Sequence, residues 1–229
     1  EALKAAGWHH GLKVNIEWVD AEKLEADTKP LRGVDGILVP GGFGSRGVEG
    51  KIAAAGFARE NKVPYLGLCL GMQVAVIDFA RHVLKTKDVH TTEVDTDAKH
   101  PVIDIMHDQV GVKLGGTMRL GDYKTVLNKK SRSYLAYGED AIHERHRHRY
   151  EFNNAYREQL EDAGMIIAGE SPDRNLVEVI ELRDHPFFVA SQAHPEFKSR
   201  PDRPHPLFRD FIGAARQQRD NRVSKGLGQ

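Results

Sequence analysis

The sequence predicts an α/β fold: a doubly wound, mostly parallel central sheet flanked by helices, with a small peripheral β layer. Two observations predict it. Short apolar runs typical of buried strands alternate with helical patterns through the first 85 residues, and two of these runs end at glycine-rich turns. Alternation of this kind implies parallel strands joined by helical crossovers, and such sheets bind ligands beyond the carboxyl ends of their strands.

The predicted elements follow in chain order. The first part comprises a helix over 1–10, strands over 14–19 and 35–40, a helix over 49–61, a strand over 64–68 and a helix over 70–81. The less regular stretch 87–150 predicts hairpins and the peripheral layer. Then come a helix over 154–163, strands over 165–170, 176–182 and 187–192, and a helix over 207–218. The polar residues 219–229 predict a flexible tail, which leaves 1–218 as one domain.

Composition excludes several classes of protein. Lys+Arg and Asp+Glu both number 33, so the formal net charge is zero and no global field favours nucleic acid or a membrane. The longest apolar stretch, 63–80, contains Pro64 and two glycines, so it indicates a strand, a turn and a helix and not a membrane span. One cysteine cannot form an internal disulfide, which favours the cytoplasm.

The first residues suggest that this is a piece of a larger protein. The chain opens on the helical sequence Glu-Ala-Leu-Lys-Ala-Ala, without an initiator Met, a capping residue or a preceding strand. We therefore expect that an earlier part of the protein precedes Glu1.

Cys69 is the candidate nucleophile. It lies in the turn Gly67-Leu-Cys-Leu-Gly71, between the strand 64–68 and the helix 70–81. A tight strand-to-helix turn exposes its central side chain, and the helix N-terminus stabilises a thiolate there.

His194 and Glu196 are the candidate base and its orienting acid. They follow the apolar strand 187–192, and residues two apart in extended chain face the same side. Glu196 can accept a hydrogen bond from one ring nitrogen, which leaves the other to take the Cys69 proton. A lone buried cysteine commonly serves packing, and His-Pro-Glu alone is an ordinary loop. Their joint placement at two strand ends of one sheet favours a Cys-His-Glu triad.

The loop after the strand 35–40 has two interpretations. Acyl transfer needs two oxyanion donors: the N–H of Leu70 is one, and Gly41-Gly42 can supply the other. The same loop matches Gly-x-Gly-x-x-Gly over 42–47, a dinucleotide-binding pattern. The next strand ends at Cys69 and not at a ribose-binding acid, so we discount a nucleotide cofactor.

The run 143–150, His-Glu-Arg-His-Arg-His-Arg-Tyr, is the other unusual segment. In a strand its arginines Arg145, Arg147 and Arg149 share one face, and His146 and His148 share the other. Its spacing does not match known metal motifs, so no metal site is predicted. A solvated or ion-paired strand and an arginine that binds a small carboxylate both remain open.

Five motifs in order resemble the class I glutamine amidotransferases, and more narrowly the glutaminase domain of CTP synthases. They are 40–44 (Pro-Gly-Gly-Phe-Gly), 67–73 (Gly-Leu-Cys-Leu-Gly-Met-Gln), 114–121 (Leu-Gly-Gly-Thr-Met-Arg-Leu-Gly), 144–151 and 194–196 (His-Pro-Glu). This resemblance covers nearly the whole chain and implies a flavodoxin-like three-layer fold. It also implies that a strand and a synthetase domain precede Glu1.

The resemblance assigns roles to individual residues. Cys69 attacks the side-chain amide of L-glutamine, His194 transfers protons and Glu196 orients the imidazole, giving a glutamyl thioester and ammonia. Further residues bind substrate or its oxyanion: Gly42, Leu70, Gly71, Met72, Gln73, Glu93 and Arg149. Glu93 holds the α-amino group and Arg149 the α-carboxylate.

The resemblance also implies partners. Ammonia passes to a synthetase domain that aminates UTP to CTP with ATP and Mg, GTP activates the enzyme through Phe43 and the following loop, and the full-length enzyme is a homotetramer. This fragment itself needs no cofactor. Two other functions stay open: another cysteine hydrolase of similar architecture, such as a peptidase or deglycase, and a non-catalytic domain that binds GTP or a partner.

Overall fold

A computed structural model describes residues 1–105 and 118–226. Its helices are α1 (Ala2–His9), α2 (Ala21–Leu24), α3 (Val48–Asn61), α4 (Leu70–Leu84), α5 (Arg132–Tyr137), α6 (Arg157–Asp162) and α7 (Pro206–Gly226). Its strands are β1 (Ile37–Val39), β2 (Tyr65–Leu68), β3 (Val89–Thr91), β4 (His100–Ile105), β5 (Arg119–Leu127), β6 (Ala141–His148), β7 (Tyr150–Phe152), β8 (Met165–Glu170), β9 (Val177–Leu182) and β10 (Phe188–Ser191).

The main sheet has seven strands in the order β1-β2-β10-β9-β8-β5-β6, and a second sheet joins β3, β4 and β7. The predicted α/β class and the small additional β layer are confirmed. The sheet is mixed, however: only β1, β2 and β10 pair in parallel, and every other neighbouring pair in it is antiparallel. The reason is that β8, β9 and β10 follow one another through short turns, which allow only antiparallel pairing, and not through helical crossovers.

Two apolar clusters cover the two faces of the sheet. Along β2, Tyr65 belongs to the cluster with α3 and α4, while Leu66 and Leu68 belong to the cluster with α1 and α7. This alternation is what the two-residue period of a strand requires. Tyr65 also stacks on Phe188 of β10, and its hydroxyl donates to the Gly71 carbonyl at 2.8 Å. The core therefore fixes the strand-to-helix turn that contains Cys69.

Two predicted elements are wrong. The segment 14–19 alternates like a strand but has no strand partner within residues 1–105 and 118–226, and Trp18 in it is 90% exposed. The last helix is predicted to end at Gln218, with a tail from 219, yet α7 continues to Gly226. Its final turns, 219–226, contain one large apolar residue, the exposed Val223, so they carry no apolar period. Pairs such as Arg216 with Asp220 at 3.6 Å support them.

Within the described residues, no helix is both long and apolar enough to cross a membrane.

Candidate functional site

Cys69 occupies a strained turn between β2 and α4. Its φ is +50° and its ψ is −104°, a conformation that non-glycine residues rarely adopt. The flanking glycines make the turn possible: a Cβ on Gly71 would lie 2.1 Å from the Val39 carbonyl oxygen, and one on Gly67 would lie 2.6 Å from that of Gly71. The strain is typical of a nucleophile held at the end of a strand.

The sheet brings His194 to Cys69. Leu68, the last residue of β2, pairs in parallel with Ser191, the last residue of β10, and the Cys69 N–H donates to the Ser191 carbonyl at 2.8 Å. His194 follows Ser191 by three residues, so the two candidate catalytic side chains emerge at the same edge. The sequence predicts that they lie at two strand ends on one edge of the sheet, and the structure shows in addition that the two strands are neighbours.

His194 is held on several sides. Its Nδ1 lies 2.7 Å from Oε1 of Glu196, its backbone N–H donates to the Arg145 carbonyl at 2.8 Å, and its ring stacks on Phe197 with centroids 5.4 Å apart. Hydrogen bonds with Cys69 first, and with Glu196 second, raise the pKa of His194 to about 10. The imidazolium form is therefore the stable one at neutral pH.

The loop after β1 closes over this pair. A Cβ on Gly41 would lie 2.7 Å from Cε1 of His194 and 3.5 Å from Cβ of Cys69, and one on Gly42 would lie 3.1 Å from Leu70 Cδ2. The glycines thus allow the backbone to approach at the place where the sequence predicts the oxyanion donors.

Glu93 and Arg149, the residues predicted to hold the substrate, both lie near Tyr150. Glu93 follows β3, and its Oε1 accepts the Gly44 N–H at 3.0 Å, which ties it to the loop after β1. Arg149 lies between β6 and β7, and its Nε is buried without a hydrogen-bond partner among the described residues. The pKa of Tyr150 is raised, mainly by burial and further by the charge of Glu93. The charge of Arg149 acts in the opposite direction and lowers it. Glu93 and Arg149 therefore share the surroundings of the Tyr150 phenol.

The segment Leu70–Gln73, predicted to line a glutamine pocket, is buried. Met72 is fully buried in the core and Gly71 packs on β1. Gln73 donates to the Tyr150 carbonyl at 3.1 Å and to Oε1 of Gln192 at 3.4 Å.

Gln192 is a site residue that sequence reasoning does not single out. Its side chain is fully buried, and its Nε2 lies 3.7 Å from the Cys69 Sγ. Its position two residues before His194 is the available signal, because residues near a catalytic strand end converge on the same edge.

The histidine face of β6 is explained by ion pairs behind the site. Arg119 contacts Glu178 at 2.5 Å and Glu151 at 3.4 Å, and His148 contacts Glu151 at 2.6 Å. Burial is the main cause that lowers the pKa of His146 to about 2, so this imidazole is neutral. Arg145 and Arg147 on the opposite face are exposed, which confirms the predicted alternation over β6. Arg149, predicted to share their face, lies beyond the last residue of β6, and its Nε is buried.

No group of three or more His, Cys, Asp or Glu side chains is placed to hold a metal ion in residues 1–105 and 118–226. Of the motif 114–121, residues 114–117 lie outside the described residues.

Comparisons with known proteins agree with this architecture. A family model described as glutamine amidotransferase class-I matches residues 1–214. The CTP synthase of Carboxydothermus hydrogenoformans is 62% identical over 218 residues, which are 94% of this chain and 41% of that protein. The CTP synthase of Rubrobacter xylanophilus is 60% identical over 217 residues, 93% of this chain and 39% of that protein. The chain thus spans about two fifths of the length of these relatives.

Solved structures of two proteins also resemble this chain. The glutaminase domain of Trypanosoma brucei CTPS, solved with bound acivicin, is 40% identical, with a TM-score of 0.89 over 94% of this chain and 86% of that one. A putative GMP synthase protein from Thermoplasma acidophilum shares the fold, with a TM-score of 0.62 at 18% identity over 97% of this chain and 90% of that one. The chain therefore belongs to the class I glutamine amidotransferase family, as a relative of the glutaminase domains of CTP synthases.

Proposed function

We propose that the chain hydrolyses L-glutamine to glutamate and ammonia through a thioester on Cys69. The observation that carries this proposal is the strained Cys69 turn beside the His194–Glu196 pair, on adjacent parallel strands. A nucleophile, a base and an orienting acid in this order are the parts that acyl transfer requires.

The reaction follows from these groups. In the reacting state the proton of Cys69 is held on His194, and the thiolate attacks the amide carbon, so that a C–S bond forms. The imidazolium then protonates the leaving nitrogen as the C–N bond breaks, which releases ammonia. Water, deprotonated by His194, attacks the thioester, and the sulfur leaves as glutamate forms. Glu196 holds the Nδ1 proton throughout.

The oxyanion is stabilised by the N–H groups of Leu70 and Gly42. Gly42 supports this role because its N–H donates to no protein acceptor among the described residues. Preorganised backbone donors of this kind each contribute about 10²- to 10³-fold in rate. The substrate is oriented by its two charges, with the α-ammonium at Glu93 and the α-carboxylate at Arg149, whose buried Nε lacks a partner among the described residues.

The whole enzyme is proposed to be a CTP synthase. The support is the identity with CTP synthases of which the chain spans about two fifths. In this proposal ammonia passes to a synthetase domain, which aminates UTP with ATP and Mg, GTP activates hydrolysis near Phe43, and the enzyme works as a cytoplasmic homotetramer. Phe43 is 88% exposed in the loop after β1, which suits a contact with another domain.

The test of glutamine hydrolysis is a glutamate assay on the chain with L-glutamine, beside Cys69→Ala. We expect the variant to lose at least about 10³-fold in rate. Equal turnover by both proteins would refute the proposal. Mass spectrometry of a quenched reaction should show the glutamyl adduct on the peptide that contains Cys69.

A further inference from the structure

The buried amide of Gln192 faces the sulfur of Cys69. Its Nε2 lies 3.7 Å from Sγ, within hydrogen-bond distance for sulfur, and its side chain is fully buried. Water therefore does not compete for this contact. An amide side chain carries both a donor, its NH₂ group, and an acceptor, its oxygen. The orientation of the amide therefore decides whether Gln192 donates to the sulfur.

A chain of hydrogen bonds fixes that orientation. The Tyr150 carbonyl can only accept, so Gln73, 3.1 Å away, must present its NH₂ group to it. The same NH₂ group lies 3.4 Å from Gln192, which must then present Oε1. The NH₂ group of Gln192 is consequently the group that faces Sγ.

The backbone holds Gln192 in this position. Its N–H donates to the Glu178 carbonyl at 2.8 Å, and the Glu178 carboxylate is paired with Arg119 at 2.5 Å. The backbone of Gln192 is therefore bonded to β9 at Glu178, a residue that a buried ion pair with Arg119 holds in place.

We propose that Gln192 is a catalytic residue that stabilises the Cys69 thiolate by donating an N–H to Sγ. This inference rests on the proposed role of Cys69 as nucleophile. The Arg147 carbonyl oxygen lies 3.9 Å from the same sulfur and favours the protonated thiol, so the amide of Gln192 opposes it. The N–H stabilises sulfur whenever it carries charge: before attack, and when it leaves the thioester as thiolate. Between these steps the sulfur is neutral and the bond weakens.

The test measures the reactivity of Cys69, the only cysteine of the chain, with iodoacetamide between pH 5 and 10. The variants are Gln192→Leu, which removes the donor, and Gln192→Glu, which keeps the size and the acceptor for Gln73. Hydrogen bonds to charged groups are the strong ones, so we expect each variant to react about 10-fold or more slowly at pH 6. The midpoint of the pH–rate profile should move upward by about one pH unit, while the limiting rate at high pH stays within about threefold.

The limiting rate separates this role from a structural one. A merely structural Gln192 would lower the rate at every pH and leave the midpoint in place, and that result would overturn the proposal. Superimposable profiles would overturn it as well. Should both variants fail to fold, the wild-type protein decides: the side-chain amide proton of Gln192 should shift downfield in NMR over the pH range in which the alkylation rate rises, and an unmoved signal would refute the proposal.

This experiment is independent of glutamine hydrolysis. If the variants shift the pH–rate profile but the wild-type chain produces no glutamate, Gln192 donates to the thiolate and the proposed glutaminase function is wrong. If the variants leave the profile unshifted and the wild-type chain does produce glutamate, only the proposed role of Gln192 is wrong.

Discussion

Gly41 and His194 are in direct contact: a Cβ atom on Gly41 would stand 2.7 Å from Cε1 of the imidazole. Contacts this short force a displacement. The His194 ring can therefore keep its position only while residue 41 has no side chain.

We expect Gly41→Ala to lower kcat by about 100-fold, because a displacement of about 1 Å in a catalytic group has effects of that size. Steady-state glutaminase kinetics would measure it. The matched control is Gly213→Ala in α7, where the nearest atom, in the ring of His10, is 3.4 Å away. A Gly41→Ala enzyme with kcat within threefold of wild type would contradict the contact.

The pKa of His194 gives a second prediction. Because the hydrogen bond with Cys69 is the largest cause that raises it to about 10, Cys69→Ala should lower it. Histidine ¹³Cε1 NMR titrations of both proteins measure this, with His185, whose pKa burial lowers to about 4, as the internal control. An unchanged His194 titration in the variant would show that the two side chains do not interact.

The same raised pKa has a consequence for stability. A histidine whose pKa increases on folding stabilises the protein fully below its unfolded pKa of about 6.5, and this stabilisation is lost as pH rises through about 10. Urea unfolding should therefore show that wild type loses more free energy of unfolding between pH 6.5 and 10 than His194→Gln does. Parallel losses in the two proteins would argue against it.

Arg149 should determine affinity for glutamine. Removing its charge-assisted bonds to the α-carboxylate should raise KM about 10- to 100-fold in Arg149→Ala, with little change in kcat. Arg147→Ala is the matched control, since Arg147 is exposed two residues away. If the two variants share the wild-type KM, the site has no amino-acid clamp, and another class of cysteine hydrolase becomes the better interpretation.

The Arg119 ion pairs should determine stability. Arg119→Met leaves the Glu178 and Glu151 carboxylates buried without their cation, and we expect it to lower the free energy of unfolding by about 3–5 kcal/mol. Burial already raises the pKa of Glu178, so its charge needs that partner. Lys129→Met, which breaks an exposed pair with Asp140, should leave the urea midpoint close to that of the wild type. Equal urea midpoints for the two variants would contradict this difference.

Local patterns are sufficient for much of the fold. The apolar run of β2, the glycine turn and the long helix α4 are encoded within about twenty consecutive residues, so their order and the exposed edge at Cys69 follow directly. The placement of His194 follows from the same logic. The catalytic and binding roles of these residues stay predictions.

Other features depend on distant parts of the chain. The segment 14–19 has the alternation of a strand, but a strand also needs a neighbouring strand to form hydrogen bonds with. The residues of the segment itself do not show whether such a neighbour is present. The orientation of Gln192 depends on the Tyr150 carbonyl, because that carbonyl orients Gln73 and Gln73 in turn donates to Gln192. Sequence reasoning also cannot see that β8 to β10 pair antiparallel, because buried strands of both kinds are continuous apolar runs.

The main chain of β6 supplies the Arg145 and Arg147 carbonyls to His194 and Cys69, and the first residue of β7 supplies the Tyr150 carbonyl to Gln73. These contacts do not depend on the identity of the side chains that carry the carbonyls. The exposed side chains at positions 145 and 147 can therefore change in charge without loss of these contacts. A one-residue slip of β6 against β5, by contrast, would move the Arg145 and Arg147 carbonyls away from both of their partners together.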